Sequence, residues 1–186
     1  MKKLYLASIL FVAMMLTNSL FAGSKPINSV GVGAGVCLPQ GGWDPGFSIT
    51  GHLHMGEAIR YLYFSPFLSY SRAPQSVDIN GHSEDLSTQY FTVGAKMIGY
   101  INSKPQGFYL GGSISYNFIT YDEIQWGELS QSTRVVNNNT TKIGFTGLAG
   151  YLFKLRKLSI FIETAYMFTA GGFNNPCFLS GVNFDL

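Results

Sequence analysis

Residues 28–38, NSVGVGAGVCL, decide how the rest of the chain is read. Val30, Val32, Ala34, Val36 and Leu38 take alternate positions, and Ser29, Gly31, Gly33, Gly35 and Cys37 take those between. Period two is the mark of a β-strand, whose successive side chains point to opposite faces. One face of this strand is wholly apolar and the other is almost without side chains. A strand on a soluble surface would carry Lys and Glu on its outer face. An apolar face toward lipid and a small face toward a narrow interior account for both halves of the pattern.

The same alternation recurs seven times. Residues 46–55 set Phe47, Ile49, Leu53 and Met55 against Ser48, Thr50, His52 and His54. Residues 60–72 set Leu62, Phe64, Leu68 and Tyr70 against Tyr61, Tyr63, Ser65, Ser69 and Ser71, with Pro66 asking for a bulge or an edge position. Residues 88–101 set Phe91, Val93, Ala95 and Met97 against Thr92, Gly94 and Lys96. Further segments follow at 107–120, 141–153, 158–168 and 177–186, where Lys142, Glu163, Asn183 and Asp185 fall on the small-residue face. The spacing predicts short turns at 56–59, 102–106 and 154–157, and long polar loops at 73–87 and 121–140. Short turns on one rim and long loops on the other are the pattern of a membrane barrel. The fold class expected is all-β: a closed, antiparallel, up-and-down transmembrane β-barrel of eight strands.

Composition agrees. Charged residues make up 12% of the chain, about half the usual share of a soluble domain, while aromatics reach 15% and Gly numbers 22. Lys2 and Lys3, the apolar run 4–16 and the small residues around Ala22 form an export signal. The expected organisation is therefore a signal peptide over 1–22 and one barrel domain over 23–186. No apolar run after Ala22 is long enough for a membrane helix. The 12 basic residues less Lys2 and Lys3 leave 10 against 10 acidic ones, so a nucleic-acid partner has no electrostatic basis. Aromatics near strand ends, among them Tyr90, Tyr100, Phe108, Tyr151, Phe153, Tyr166 and Phe168, suit girdles at the two lipid interfaces.

The runs YLYFSPFLSY (61–70), FTVGAKMIGY (91–100), GFYLGGSISY (107–116), IGFTGLAGYLF (143–153) and LSIFIETAY (158–166) resemble small eight-stranded outer-membrane barrels of the OmpA/OmpX kind. The last residues, Gly181, Phe184 and Leu186, resemble the C-terminal signal read by the outer-membrane assembly machinery, although that signal usually ends in an aromatic. The resemblance implies residence in the cell outer membrane. It also implies contact with outer-membrane lipid and lipopolysaccharide, and a structural or surface-interaction role through long extracellular loops. The alternative is a narrow channel or small-ligand carrier.

Inside such a barrel, charges need partners. Lys96, Lys142, Glu163, His52 and His54 form the expected lumen network, with Glu163 pairing Lys96 or Lys142. His52 and His54 read as hydrogen-bonding partners rather than metal ligands, since no further His or Cys joins them; no metal and no cofactor is expected. His82, Ser83 and Glu84 supply hydrolase residue types, but adjacent loop positions cannot form a relay, and no catalysis is expected. Gly31-x-Gly33-x-Gly35 has the wrong spacing for a nucleotide fingerprint. The run 137–140 reads as a solvated loop tip, within an acidic long-loop rim opposed to a basic short-turn rim. Cys37 and Cys177 are the only cysteines. Closure makes the first and last strands neighbours. With residue 28 opposite residue 186, opposed positions sum to 214, as 37 and 177 do. A disulfide across the seam is expected, against two free buried thiols.

Overall fold

The structure is a computed structural model; it describes residues 27–59, 61–79, 82–102, 104–126, 133–169 and 172–186, and the expected signal peptide lies outside them. Eight strands form: β1 Ser29–Cys37, β2 Gly46–Ile59, β3 Leu62–Ile79, β4 His82–Tyr100, β5 Gly107–Trp126, β6 Thr133–Leu155, β7 Leu158–Thr169 and β8 Asn175–Asp185. Each pairs antiparallel with the next, and β1 pairs with β8, so the sheet closes into an up-and-down barrel. The seam runs from Ser29↔Asp185 to Cys37↔Cys177, each pair summing to 214 as the sequence requires.

Three expectations need correction. The segments 73–87 and 121–140 are not loops. β3 and β4 stay paired from Leu62↔Gly99 out to Ile79↔His82, and β5 and β6 from Gly107↔Leu152 out to Trp126↔Thr133. Apart from the buried Ala73 and Leu86, their described residues are exposed or half-buried on both faces, so the hydrophobic signal fades while strand pairing continues. The run 137–140 accordingly lies within β6. Second, the 56–59 turn is strand: β2 continues to Ile59, with register shifts between Met55, Glu57 and Ile59. Third, Pro66 causes no register shift. It pairs with Ala95 on β4, while on its other side the ladder passes from Phe67↔His52 to Phe64↔Met55 in unchanged register. A missing N–H is tolerated where the neighbouring strand makes no ladder contact.

The faces divide as the alternation requires. Val32, Ile49, Phe108, Leu110, Ile114, Phe145, Ile162, Phe178 and Phe184 are exposed on the outside. Such a surface suits hydrocarbon, not water. Tyr90 and Tyr100 are not girdle residues: they are 2% and 7% exposed and point inward, because they share parity with Thr92 and Lys96 on β4. Phe108, Tyr151 and Phe153 stack outside, as do Tyr166 and Phe168.

The inward glycines of β1 are explained by what covers them. The His52–Asn183 hydrogen bond passes over Gly31, and the Phe161 ring lies against Gly33 and its cross-seam partner Gly181. A Cβ on Gly33 would sit 2.6 Å from Phe161 Cζ, and one on Gly181 would strike the Val32 carbonyl oxygen. Gly181→Val is therefore expected to cost about 1–3 kcal/mol by overpacking. Urea unfolding of the folded, heat-modifiable form checks this. Gly147→Val is the control, since Gly147 is exposed and nothing lies within 4 Å of its Cβ direction. Equal midpoints for the two variants would contradict the seam packing.

Candidate functional site

The lumen is layered. At the short-turn end Ile98, Tyr100, Tyr109, Leu148, Leu152 and Phe161 form a buried apolar cluster, with Tyr63 packed against it. The Tyr63–Tyr100 and Tyr100–Tyr109 ring centroids are 5.4 Å and 5.5 Å apart. These bulky residues come from β3, β4 and β5, and fill a bore that an eight-stranded barrel makes only about one side chain wide.

Above this layer lies the charge pair. Lys96 Nζ sits 3.0 Å from Glu163 Oε2, and both side chains are almost fully buried. The Tyr109 hydroxyl donates to the same carboxylate oxygen at 2.9 Å. Of the two cations offered by the sequence, Lys96 is the partner. Lys142 lies toward the other rim; its carbonyl accepts from Asn117 Nδ2, and its side chain makes no ion pair among the described residues. His52 and His54 share a small cavity with Lys96 but make no hydrogen bond to the ion pair. His52 Nε2 is 2.8 Å from Asn183 Oδ1, and its ring meets His54 and Phe161 edge-on. Among the described residues no group of three or more His, Cys, Asp or Glu could hold a metal. Tyr109 and Asn183 lie on the inner face. Their roles as partners depend on which strands lie across the bore, which strand periodicity does not contain.

Next comes a chamber of about 70 Å³ lined by hydroxyls, including Ser48, Thr50, Ser69, Thr92, Ser113 and Ser115. A water needs about 10–15 Å³ of such space, so the chamber has room for a few. Tyr90, Ile119 and Met167, with Tyr121 and Phe173 against them, cap it at the far end. The bore is thus filled by apolar layers on both sides of its polar middle.

Beyond that cap, the outer parts of β3 and β4, and those of β5 and β6, rise as two hairpins, since the β4–β5 ladder ends at Thr88↔Tyr121. β2 stops pairing with β3 at Phe47↔Arg72, and β7 stops pairing with β6 at Thr169↔Gly144. The edge of β3 over 73–79 is partly blunted by Pro74, whose carbonyl accepts the Asp44 N–H at 2.9 Å. Among the described residues, the side of β6 away from β5 has no strand beside it over 133–143. Side-chain ladders stiffen the β5–β6 hairpin. Thr120 donates to Asn139, Asn137 to Asp122 and Asn138 to Glu123. Asp122 also accepts from the Ser87 N–H and hydroxyl. Partial burial raises its pKa, but these bonds and the Arg72 charge outweigh that and hold the carboxyl below its usual range. His82, Ser83 and Glu84 are consecutive strand positions opposite Ile79, Asp78 and Val77, not a loop cluster.

At the seam the register places Cys37 opposite Cys177, the pairing the expected disulfide requires, with the two sulfurs unbonded in the structure. Both are free thiols, Cys37 Sγ donating to the Phe47 carbonyl at 3.4 Å and Cys177 Sγ to that of Asn175 at 3.8 Å. Of the C-terminal trio, Gly181 packs inward under Phe161, Phe184 is exposed on the outer face, and the Leu186 N–H closes the seam onto the Asn28 carbonyl at 3.0 Å.

No protein-family model and no curated protein sequence matches the chain. Solved structures do. Neisserial surface protein A is 18% identical with a TM-score of 0.59, covering 88% of this chain and 99% of that one. Ail, the attachment invasion locus protein of Yersinia pestis, is 10% identical with a TM-score of 0.54, covering 86% and 97%. Both are eight-stranded outer-membrane β-barrels, and the fold of this chain is theirs.

Proposed function

We propose that this barrel resides in the bacterial outer membrane as a surface-interaction protein, using its lipid-facing wall as an anchor and its raised β3–β4 and β5–β6 hairpins as the contact surface. The observation that carries the reading is the combination of a filled bore with an open strand edge held above it. An unpaired row of backbone N–H and C=O groups is a template onto which an extended segment of another protein can add as a strand. The acidic and amide side chains of the two hairpins keep them wetted and stiff without a partner. One of the neighbours in fold carries attachment in its name, which is consistent with this use of the scaffold. A channel is the poorer reading, because transit would require displacing two apolar layers and the Lys96–Glu163 pair between them.

The test is to replace 121–140 by a short turn, keeping the spanning parts of β5 and β6. The trimmed barrel is expected to remain heat-modifiable and to show the same absence of planar-bilayer conductance as the full chain. Binding of expressing cells to host-cell or matrix surfaces is expected to fall to that of a deletion strain. Adhesion unchanged by trimming, or steady conductance by the intact barrel, would remove the proposal.

A further inference from the structure

The outer wall carries a broad, open concavity that neither the barrel's closure nor its raised hairpins account for. It is a groove of about 660 Å³, almost wholly apolar, running over β5, β6, β7 and β8. Its floor is low because Ala149, Gly150 and Thr164 are small. Phe108, Tyr151 and Ile162 stand side by side across β5, β6 and β7, with Phe153 on the short-turn side and Phe178 on β8. Phe108, Ile162 and Phe178 are all more than half exposed, so the groove is on the lipid side of the wall. A peptide strand has no reason to sit at this depth, since its backbone groups would find no partners there.

The chemistry of its open end identifies an occupant. Ile101 and Phe153 line the groove beside the two short turns, and those turns carry Lys104 on one side and Lys154, Arg156 and Lys157 on the other. Lys154 is taken by an ion pair with Asp185. Lys104, Arg156 and Lys157 are exposed and make no ion pair among the described residues. An apolar trough that ends in uncommitted cations is complementary to an acyl chain that ends in a phosphate. The cations lie on the rim away from the raised hairpins, which selects a phospholipid of the inner-facing leaflet over a lipid of the outer one.

We propose that this groove is a binding site for an anionic glycerophospholipid, with one acyl chain seated between Phe108 and Phe178 and the headgroup phosphate held by Lys104 and Lys157. The inference rests only on the barrel spanning a bilayer, and is independent of what the raised hairpins bind.

Native mass spectrometry of the folded barrel in detergent tests it, titrating phosphatidylglycerol and phosphatidylcholine of the same chain lengths. The wild type is expected to retain one phosphatidylglycerol about tenfold more tightly than phosphatidylcholine, the preference two rim cations can supply. Thr164→Phe, which fills the floor, is expected to abolish retention of both lipids. Lys104→Glu with Lys157→Glu, in exposed turns that do not affect folding of the wall, is expected to abolish only the preference. Gel heat-modifiability confirms that each variant is folded, and the turn variant keeps the test valid should Thr164→Phe not fold. Equal retention of the two lipids by the wild type would overturn the site. So would undiminished retention by folded Thr164→Phe, or a lipid-free dimer joined through this wall.

Discussion

Lys96→Met is expected to destabilise the barrel by about 3–5 kcal/mol, the usual cost of leaving one member of a buried ion pair without its partner. The loss arises from Glu163. With Lys96 gone, a carboxylate 5% exposed keeps only the Tyr109 hydroxyl as a charge-stabilising neighbour. The adjoining hydroxyl-lined chamber can solvate one side of it, which places the value toward the lower end of the range. Adding Glu163→Gln to Lys96→Met removes the stranded charge while leaving an oxygen to accept from Tyr109, so the double variant is expected to recover most of the loss. Urea titration, with the folded fraction read from unboiled gels, measures all three midpoints. A Lys96→Met variant as stable as the wild type would show that the pair is not buried as a unit. A double variant as poor as Lys96→Met would show that packing, not charge, is what Lys96 supplies.

The architecture was legible because the inner and outer environments of a small membrane barrel are both extreme. Lipid demands Val32, Ile49, Phe108 and Ile162 on one face, and a bore one side chain wide demands Gly31, Gly33 and Gly181 on the other. Those two demands fix the strand parity and, with the count of eight, the seam register that joins Ser29 to Asp185. Where the environment stops being two-sided, the signal stops. Above the rim both faces of β5 and β6 meet water, and Asp122, Glu123 and 137–139 read as loop although they are a hydrogen-bonded ladder.

The site was legible to the same depth. Parity places Lys96, Lys142 and Glu163 in one bore, but not at one height. Shear, the stagger that accumulates around a closed sheet, sets Lys96 level with Glu163 across the bore and leaves Lys142 near the far rim. Tyr90 and Tyr100 were misplaced for a related reason. Aromatics serve both as interfacial anchors and as plugs, and only their parity with Thr92 distinguishes the two uses.

The chain purified without reductant is expected to carry a Cys37–Cys177 disulfide, although the two are free thiols in the structure. The geometry of the seam is the reason. Leu38 N–H donates to the Pro176 carbonyl at 2.8 Å, and Leu186 N–H to the Asn28 carbonyl at 3.0 Å, so even positions of β1 are the hydrogen-bonded pairs. Cys37↔Cys177 is then a non-hydrogen-bonded pair, the closer kind, with Cα atoms about 4.5 Å apart. That separation lies at the short end of what a disulfide spans. Turning each Sγ from its carbonyl toward its partner gives up only two weak thiol hydrogen bonds. Cys37 is fully buried once the seam is closed, so oxidation belongs to the exported, still-open chain, where a protein disulfide donor is the oxidant. Each cysteine gives up a proton and an electron; the S–S bond forms, and the donor disulfide is reduced to a dithiol. Joining residues 140 positions apart removes roughly 4–5 kcal/mol of unfolded-chain entropy. The intact mass of unreduced protein should fall short of the dithiol by two hydrogens. Reductant should lower the urea midpoint of the wild type to that of Cys37→Ser with Cys177→Ser, and should leave the midpoint of that variant unchanged. Alkylation of both thiols in denatured, unreduced protein would exclude the bond and leave the seam held by its backbone ladder and the Phe161 packing alone.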